Sequence, residues 1–208
     1  MIFKHIKIMR LKIKLPYTKI LIAENCLTAK SILNKEFLGV NNKYHNYDVK
    51  PFSISMICGG QKEGLYTIFK NDAHIFFNTS DNDVLDLLLE NIIGKYEFEI
   101  VENKTRNGIN TLKASNVRYY SKGKSHFITE ENKHEFEEYA TGKYGVDIKV
   151  LNINKIVDVK YKNGSAIPST NLLISVEGDE PEVKKLFDLG IGSLTAQGFG
   201  FIDNCLKN

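Results

Sequence analysis

The two halves of the sequence carry the same order of β-rich and helical segments, and this order limits the folds that are open to the chain. In the first half, apolar periodicity predicts strand 2–15, helix 20–37, strand 52–58, a hairpin of segments 65–69 and 73–78 around Asn71 and Asp72, helix 82–93 and strand 96–101. In the second half it predicts strand 111–120, helix 130–144, strands 146–153 and 157–161, strand 172–176, helix 180–189 and strand 199–203. Two βαββαβ units in tandem are the simplest architecture for this order. We therefore predict an α+β protein with two ferredoxin-like, RRM-like domains.

The polar segment 102–108 is the best boundary between the two units, because it has no apolar residue and is rich in turn formers. We therefore predict an N-terminal domain over residues 1–103 and a C-terminal domain over residues 104–208. Within the first strand, the alternation of apolar residues reverses at Met9. A β-bulge would explain this reversal, and so would a true start at Met9 after a dispensable leader.

The composition is that of an ordinary soluble protein and argues against a membrane-spanning, secreted, disulfide-bonded or zinc-binding protein. Hydrophobic residues make up 42% of the 208 residues, which is enough to fill a core. No apolar run approaches the roughly 18–20 residues that span a bilayer, and the first residues lack the apolar segment of a signal peptide, so we expect a cytoplasmic protein that does not bind a membrane. The cysteines Cys26, Cys58 and Cys205 are widely spaced and suggest neither disulfides nor a zinc site. We expect no metal and no cofactor.

The distribution of charge says more than the net charge of +3. Lysines crowd the first strand and the segment 155–162, whereas glutamates crowd the segment 130–138, so we predict one basic face and one acidic helix. Nearly all of the cations are lysines, which favour point-charge contacts with phosphates. The better candidates for specific contacts are the three arginines, Arg10, Arg106 and Arg118.

Four glycines stand within the eleven residues 190–200, which read GIGSLTAQGFG and directly follow an amphipathic run. Glycines allow positive φ angles and a close approach of the backbone to a ligand, so we predict that this loop offers backbone amides to an anion such as a phosphodiester. The spacing fits neither common nucleotide loop. Thr195 stands where a dinucleotide fingerprint needs its third glycine, and no Gly-Lys-Ser/Thr follows for a P-loop. The predicted ligand is therefore not a mononucleotide.

The segment 186–189, Leu-Phe-Asp-Leu, together with the glycine pattern that follows it, resembles the glycine-rich signature of the RAMP superfamily of CRISPR-associated RNA-binding proteins. The segment 50–55, Lys-Pro-Phe-Ser-Ile-Ser, lies shortly after a histidine and resembles a signature of the CRISPR repeat endoribonucleases, the sixth family of Cas proteins. The resemblance implies tandem ferredoxin-like domains. It also implies an antiviral-defence ribonuclease that cleaves precursor CRISPR RNA within repeats without metal. Attack by the 2′-oxygen would leave a 2′,3′-cyclic phosphate and a 5′-hydroxyl.

RNA cleavage without metal needs groups that accept and donate protons, and histidine suits both roles because its ordinary pKa is about 6.5. His45 lies in a polar loop before the segment 50–55, where the family keeps its catalytic histidine. The alternative is an exposed loop histidine without a task. Family members often place a tyrosine in the first helix, whereas this chain has Lys30 near that position. Lys30 or Lys50 could stabilise the phosphorane by charge, and each could equally be a solvated lysine.

Further residues are candidates for RNA contact. Tyr44 and Tyr47 flank the histidine and could stack on a base, and Ser53 and Ser55 share a strand face that could line the site. The remaining candidates are cations of the second domain and residues of the glycine-rich loop: Arg118, Lys184, Lys185, Gly190, Gly192, Ser193, Thr195, Gln197, Gly198 and Gly200.

Two other functions stay open at this point. A catalytically silent RNA-binding RAMP subunit of a CRISPR effector complex would use the same loop but would need no positioned histidine. A structural subunit would use the loop to bind protein, and a loss of RNA affinity with rising salt would argue against it. The expected partners are CRISPR repeat RNA, subunits of a CRISPR effector complex and a second copy of the chain, since two open sheet edges leave a homodimer open.

Overall fold

The computed structural model describes residues 9–39, 43–47, 50–102, 105, 107–160 and 165–204, with the backbone alone at Met9, Cys26, His45, Asn46, Lys160 and Asn204. The first part of the strand predicted over 2–15 lies outside these residues, as do Arg106 and Cys205. In the part of the chain that is described, no helix combines the length and the apolar character needed to cross a membrane.

The first sheet is antiparallel, and six strands belong to it within the described residues. They are β1 (Met9–Lys14), β2 (Lys19–Leu21), β3 (Phe52–Ile54), β4 (Cys58–Glu63), β5 (Tyr66–Thr79) and β6 (Phe98–Val101). Their order is β2–β5–β1–β6, and β3 and β4 also pair with β5. The two α-helices of this unit are α1 (Asn25–Ile32) and α2 (Asn82–Ile92).

The second sheet is also antiparallel. Its strands are β7 (Gly108–Ser121), β8 (Lys124–Phe127), β9 (Asp147–Lys160), β10 (Ala166–Gly178) and β11 (Phe201–Asn204). The order is β11–β7–β10–β9, with β8 paired to β7, and the α-helices of this unit are α3 (Lys133–Tyr144) and α4 (Glu180–Leu189). In the second unit the strands of the βαββαβ order are β7, β9, β10 and β11, and in the sheet they lie as fourth, first, third and second, as in ferredoxin-like folds. The first unit has the same order, with β6 as the fourth strand, β1 as the first, β5 as the third, and β3 and β4 in the place of the second. The predicted α+β fold with tandem ferredoxin-like units is therefore confirmed.

The hairpin predicted around Asn71 and Asp72 is wrong, because β5 runs through both residues. Asn71 has a φ of 63°, a left-handed conformation that asparagine tolerates better than most residues. It lies opposite a register shift in β4, where a β-carbon on Gly59 would be only 1.8 Å from the Asp72 carbonyl oxygen. The strand is distorted at this point without ending, and the actual turn between β4 and β5 contains Gly64.

The single helix predicted over 20–37 is only partly correct. Its first residues belong to β2 and to a 3-10 turn, Ile22–Glu24, and its last residues form a π turn, Leu33–Phe37, directly after α1. Successive α, 3-10 and π turns bury a similar face, so apolar periodicity alone does not distinguish them from one helix. The two strands predicted over 146–161 are likewise one strand, β9, whose pairing with β10 contains two register shifts.

Each unit has its own hydrophobic core. In the first, the fully buried Leu11 and Ile13 of β1 share a cluster with residues of α2. Asp81 caps the N-terminus of α2, since its Oδ1 accepts a hydrogen bond from Val84 N at 3.0 Å. In the second, buried residues of α3, α4 and β10 form the cluster, among them Phe136, Ala140, Ile174, Val183 and Leu186.

The end of α4 is hydrogen-bonded to the first sheet. Phe187 O accepts hydrogen bonds from Ser53 Oγ at 2.6 Å and from Asn78 Nδ2 at 2.9 Å, and all three residues are fully buried. Arg10 of β1 also forms a 3.0 Å ion pair with Asp203 of β11. These contacts hold both ends of the glycine-rich loop against the first unit, because the loop connects α4 to β11.

Asp188, near the end of α4, is only 3% exposed, and its Oδ1 atom has no hydrogen-bond partner among the described residues. Burial raises the pKa of Asp188 from its ordinary value of 3.8 to about 7, and a hydrogen bond with Ser80 opposes this rise only in part. The unfolded chain loses the Asp188 proton near the ordinary value, whereas the folded chain keeps it up to about pH 7. Within that window the folded state binds more protons, so the free energy of unfolding falls as the pH rises.

Replacing Asp188 by Asn is expected to remove this loss of stability. Through this carboxyl, the wild type should lose on the order of 2 kcal/mol of unfolding free energy between about pH 5 and pH 8. Urea unfolding at both pH values measures the difference, and Asp86→Asn, at an exposed position of α2, is the matched control. If Asp188→Asn and the wild type show the same pH dependence, the buried carboxyl is not its cause.

Candidate functional site

Hydrogen bonds to neighbouring elements hold the glycine-rich loop, residues 190–200. Gly192 N donates to Tyr144 Oη at 3.0 Å, and Ser193 N donates to Arg118 O at 2.8 Å. Backbone carbonyl oxygens also accept hydrogen bonds from four further amides of the loop: Gly190 N, Ile191 N, Gln197 N and Gly200 N. The prediction that the loop offers its amides to an anion is therefore wrong for these six groups, which are already bonded within the protein.

Two of the loop glycines are required by close contacts. Gly192 has a φ of 92°, and a β-carbon there would lie 2.0 Å from Arg118 O. Gly200 has a φ of 60°, and its β-carbon would lie 1.8 Å from Ile191 O. No side chain fits at these distances. The glycines thus let the loop pack against β7 and against itself.

The part of the loop that reaches solvent is the segment 193–197. Leu194 is exposed and has a φ of 61°, and the other four residues are half-buried. Thr195–Gln197 form a single 3-10 turn that packs against α1 and β3 of the first unit. This segment therefore offers polar side chains to solvent where the two units meet.

A cavity of about 360 Å³ opens beside this segment, and we call it the tyrosine cleft. The residues that line it are Lys50, Tyr120, Tyr139, Lys143, Tyr144, Leu189, Gly192, Ser193, Leu194, Thr195, Ala196 and Gln197. Its two cations come from different units, since Lys50 precedes β3 and Lys143 lies in α3. None of these lining residues is acidic, so the cleft combines positive charge with aromatic surface.

Lys143 and Tyr144 hold the backbone of Gly192. Lys143 Nζ donates to Gly192 O at 2.9 Å and to Tyr139 Oη at 3.2 Å. Its charge lies 5.2 Å from the ring centroid of Tyr144, whose hydroxyl accepts the Gly192 N–H. The last turn of α3 therefore fixes the start of the segment 193–197.

Lys50 connects the tyrosine cleft to the segment that carries His45. The backbone of His45 lies in a single 3-10 turn, Lys43–Asn46, and its side chain is outside the described part. Lys50 Nζ donates a hydrogen bond to the carbonyl oxygen of Tyr47, directly after this turn. Lys50 and the glycine-rich loop, which the sequence marked independently, thus meet in one cleft next to the histidine turn.

Three other predicted site residues of the first unit are Lys30, Tyr44 and Tyr47, and they differ in burial. Lys30 is half-buried in α1, the helix that packs against the turn Thr195–Gln197, but it does not line the tyrosine cleft. Tyr44 is 2% exposed, and its ring lies 5.5 Å from that of Tyr47, which is 47% exposed. Of these two tyrosines, Tyr47 is the one with a ring face that RNA could reach.

Several predicted RNA contacts are buried, and we correct their assignment. Ser53 Oγ donates to the backbone of α4, and Ser55 Oγ donates to Met56 O at 2.7 Å. The Arg118 guanidinium donates hydrogen bonds to Ser125 Oγ and Ser125 O, each at 2.9 Å. These bonds connect β7 to β8, so Arg118 stabilises the β7–β8 hairpin. These side chains hold the fold together and do not reach the surface. Four predicted loop glycines are buried as well: Gly190, Gly192, Gly198 and Gly200.

Lys184 and Lys185 lie on α4. Lys184 Nζ is 2.6 Å from Glu180 Oε1, a partly exposed ion pair one helical turn apart, and Lys185 is exposed. Neither lysine lines the tyrosine cleft. Contact with RNA therefore stays a prediction for these two residues.

Sequence reasoning missed the α3 residues of the cleft, Tyr139, Lys143 and Tyr144. The first two are four positions apart and therefore share a helix face, which is the signal that could have found them. The glutamates of the same helix hid it, because they predicted an acidic, solvated helix. Of the α3 residues, Tyr139, Lys143 and Tyr144 line the tyrosine cleft, and none of the glutamates of this helix does.

Comparison with known proteins adds a family and a fold. The family model for CRISPR associated protein Cas6, C-terminal, matches residues 65–204. No curated protein sequence matches the chain. A solved structure of a CRISPR associated protein Cas6 is 17% identical, with a TM-score of 0.65 over 96% of this chain and 100% of that one.

Two further solved structures have the same fold. An RAMP protein binding different RNA substrates is 16% identical, with a TM-score of 0.66 over 95% of this chain and 100% of the other. Cse3 of Thermus Thermophilus, bound to an RNA representing a pre-cleavage complex, is 12% identical, with a TM-score of 0.57 over 96% of this chain and 100% of that chain. At these identities the likeness shows a shared fold.

Proposed function

Because the chain belongs to the Cas6 family of CRISPR-associated proteins, we propose that it is an endoribonuclease that binds precursor CRISPR RNA and cuts it within each repeat. The observation that carries this proposal is the tyrosine cleft. There, Lys50, which is hydrogen-bonded to Tyr47 directly after the turn that carries His45, lies beside the segment 193–197 of the glycine-rich loop. The RNA-bound Cse3 structure, which has the same fold, supports RNA as the ligand.

The proposed reaction needs only groups of the protein and the RNA. A base removes the proton of the 2′-hydroxyl, and the 2′-oxygen forms a bond to the adjacent phosphorus. The bond from phosphorus to the 5′-oxygen then breaks, and an acid protonates that oxygen. The products carry a 2′,3′-cyclic phosphate and a 5′-hydroxyl, and no redox partner is required.

We assign one of the two proton transfers to His45, since imidazole exchanges protons near neutral pH. Lys50 is the better candidate than Lys30 for stabilising charge on the phosphorane, because it lines the cleft and lies close to the histidine turn. Tyr47, Thr195 and Gln197 are the proposed RNA contacts that remain at the surface, and Ser193 stays a proposed contact as a half-buried residue of the cleft lining.

Incubation with labelled repeat RNA from the same genome in excess EDTA tests this function. We expect one cut per repeat, and no cut in an otherwise identical RNA with a 2′-deoxy nucleotide at the cleavage site, because the nucleophile is missing. Phosphatase and kinase treatment of the fragments should identify the cyclic phosphate and the free 5′-hydroxyl. A cut that persists in the deoxy RNA would contradict attack by the 2′-oxygen.

Two other outcomes would each replace this proposal. Tight binding without a cut would make the chain a silent RNA-binding RAMP subunit. An absence of binding at low salt would favour a structural subunit, since phosphate contacts are strongest when few counterions compete.

A further inference from the structure

We propose that the tyrosine cleft is a binding site for a single unstacked nucleotide of the repeat, next to the cleaved phosphate. Its base stacks on Tyr120, and Lys50 and Lys143 attract its phosphates. This inference rests on the proposed function, because it specifies how the same cleft recognises RNA.

The tyrosine cleft has the contents that such a nucleotide needs. Tyr120 is 55% exposed and presents an aromatic face that every base can stack on. The volume of about 360 Å³ falls within the roughly 300–1,000 Å³ typical of small-ligand sites. A single nucleotide is therefore a better fit than a duplex or a folded protein segment.

One polar group in the cleft lacks a partner. Ser193 Oγ is buried and has no hydrogen-bond partner among the described residues. A buried hydroxyl without a partner is costly, so a ligand atom that pairs with it would be favoured. Ser193 also belongs to the segment that Lys143 and Tyr144 hold in place through Gly192, so its position is fixed before a ligand arrives.

Two other cavities of the described surface show why this cleft differs. The one beside β1 and β6 contains Lys12 and Lys14, but Glu99 lies 3.3 Å from the first and Glu97 lies 2.9 Å from the second. The one beside α2 is lined by three acids and one lysine: Asp83, Asp86, Glu90 and Lys43. Carboxylates repel phosphate in both places. The lining of the tyrosine cleft has cations and no carboxylate, which points to an anionic ligand.

A two-sided substitution experiment tests the nucleotide site. The RNA is the uncleavable 2′-deoxy repeat, in which single abasic nucleotides replace each position around the cleavage site in turn. The proteins are the wild type, Tyr120→Ala and Tyr120→Phe. Tyr66→Ala is the matched control, since Tyr66 is another exposed tyrosine and lies on β5, outside the lining of the tyrosine cleft.

We expect Tyr120→Ala to bind the intact RNA about 5- to 100-fold more weakly, because it loses one stacked base. Tyr120→Phe should bind like the wild type, since it keeps the ring. One abasic position should weaken wild-type binding to a similar extent and should add no further loss in Tyr120→Ala. The proposed nucleotide site would be wrong if the affinity losses from Tyr120→Ala and from the abasic nucleotide multiply at every abasic position. It would also be wrong if Tyr120→Ala binds the intact RNA as tightly as the wild type does.

The nucleotide site and the proposed function fail in distinguishable ways. If the wild type cuts repeat RNA in EDTA but Tyr120→Ala and the abasic positions are independent, the function stands and the nucleotide site is wrong. If the wild type does not bind repeat RNA, both are wrong.

Discussion

Replacing His45 by Ala is expected to slow cleavage of repeat RNA by about 100- to 10,000-fold, the usual cost of losing a general acid or base. The expected loss lies in the chemical step. The affinity for the uncleavable 2′-deoxy RNA should therefore change little. Single-turnover cleavage with enzyme in excess measures the chemical step directly, because product release does not then limit the observed rate.

His134→Ala is the matched control for this experiment. His134 lies on α3 with a side chain that is 77% exposed and faces Glu137 and Glu138, so it has no expected part in the reaction. If His45→Ala cleaves at the wild-type rate, the assignment of His45 is wrong. If it loses RNA affinity together with activity, the role of His45 is in binding.

The pH dependence of the same single-turnover rate gives a second readout of His45. Loss of one titrating group should remove one limb of the wild-type profile near the histidine pKa of about 6.5. A variant that is merely misfolded would lower the rate at every pH without changing the shape of the profile.

The architecture could be predicted because local signals and the global fold agree. The helix predicted over 180–189 matches α4, since Asp179 precedes it, Pro181 lies in its first turn and Gly190 ends it. The predicted hairpin at Asn71 was wrong for the opposite reason. A turn-forming residue, Asn71, lies within a long strand, and its neighbour Asp72 lies close to Gly59 of β4, a contact that the local pattern does not show.

The candidate site was only partly predictable, because sequence patterns identify side-chain chemistry but not burial. Lys50 and the segment 193–197 were marked by motifs and do meet in one cleft. Ser53 and Arg118 have suitable chemistry for RNA contact, yet both lie beneath the surface, where they join elements that only the fold brings together. Lys143 was missed because only the fold brings it to its hydrogen-bond partner Gly192, which is 49 positions away in the sequence.

Gly192, in the glycine-rich loop, lies too close to β7 to accept a side chain. Gly192→Ala should cost more than about 4 kcal/mol of unfolding free energy, a size reached by few single substitutions. The new β-carbon would lie 2.0 Å from a backbone oxygen of β7, and backbone cannot rotate away as the end of a side chain can. The loop would have to move, and two hydrogen bonds would be lost with it: the one that Lys143 Nζ donates to Gly192 O and the one that Gly192 N donates to Tyr144 Oη.

Gly123→Ala separates this clash from the cost of the backbone conformation. Gly123 has a φ of 74° in the turn between β7 and β8, but a β-carbon there would meet no atom within 4 Å. It should cost only the roughly 1–2 kcal/mol of a left-handed residue. Chemical denaturation of both variants measures the difference, and a Gly192→Ala protein that does not fold while Gly123→Ala does would agree with it. Equal losses in the two variants would mean that the loop relaxes freely, and the glycines would then serve conformation alone and not the close packing that positions Ser193.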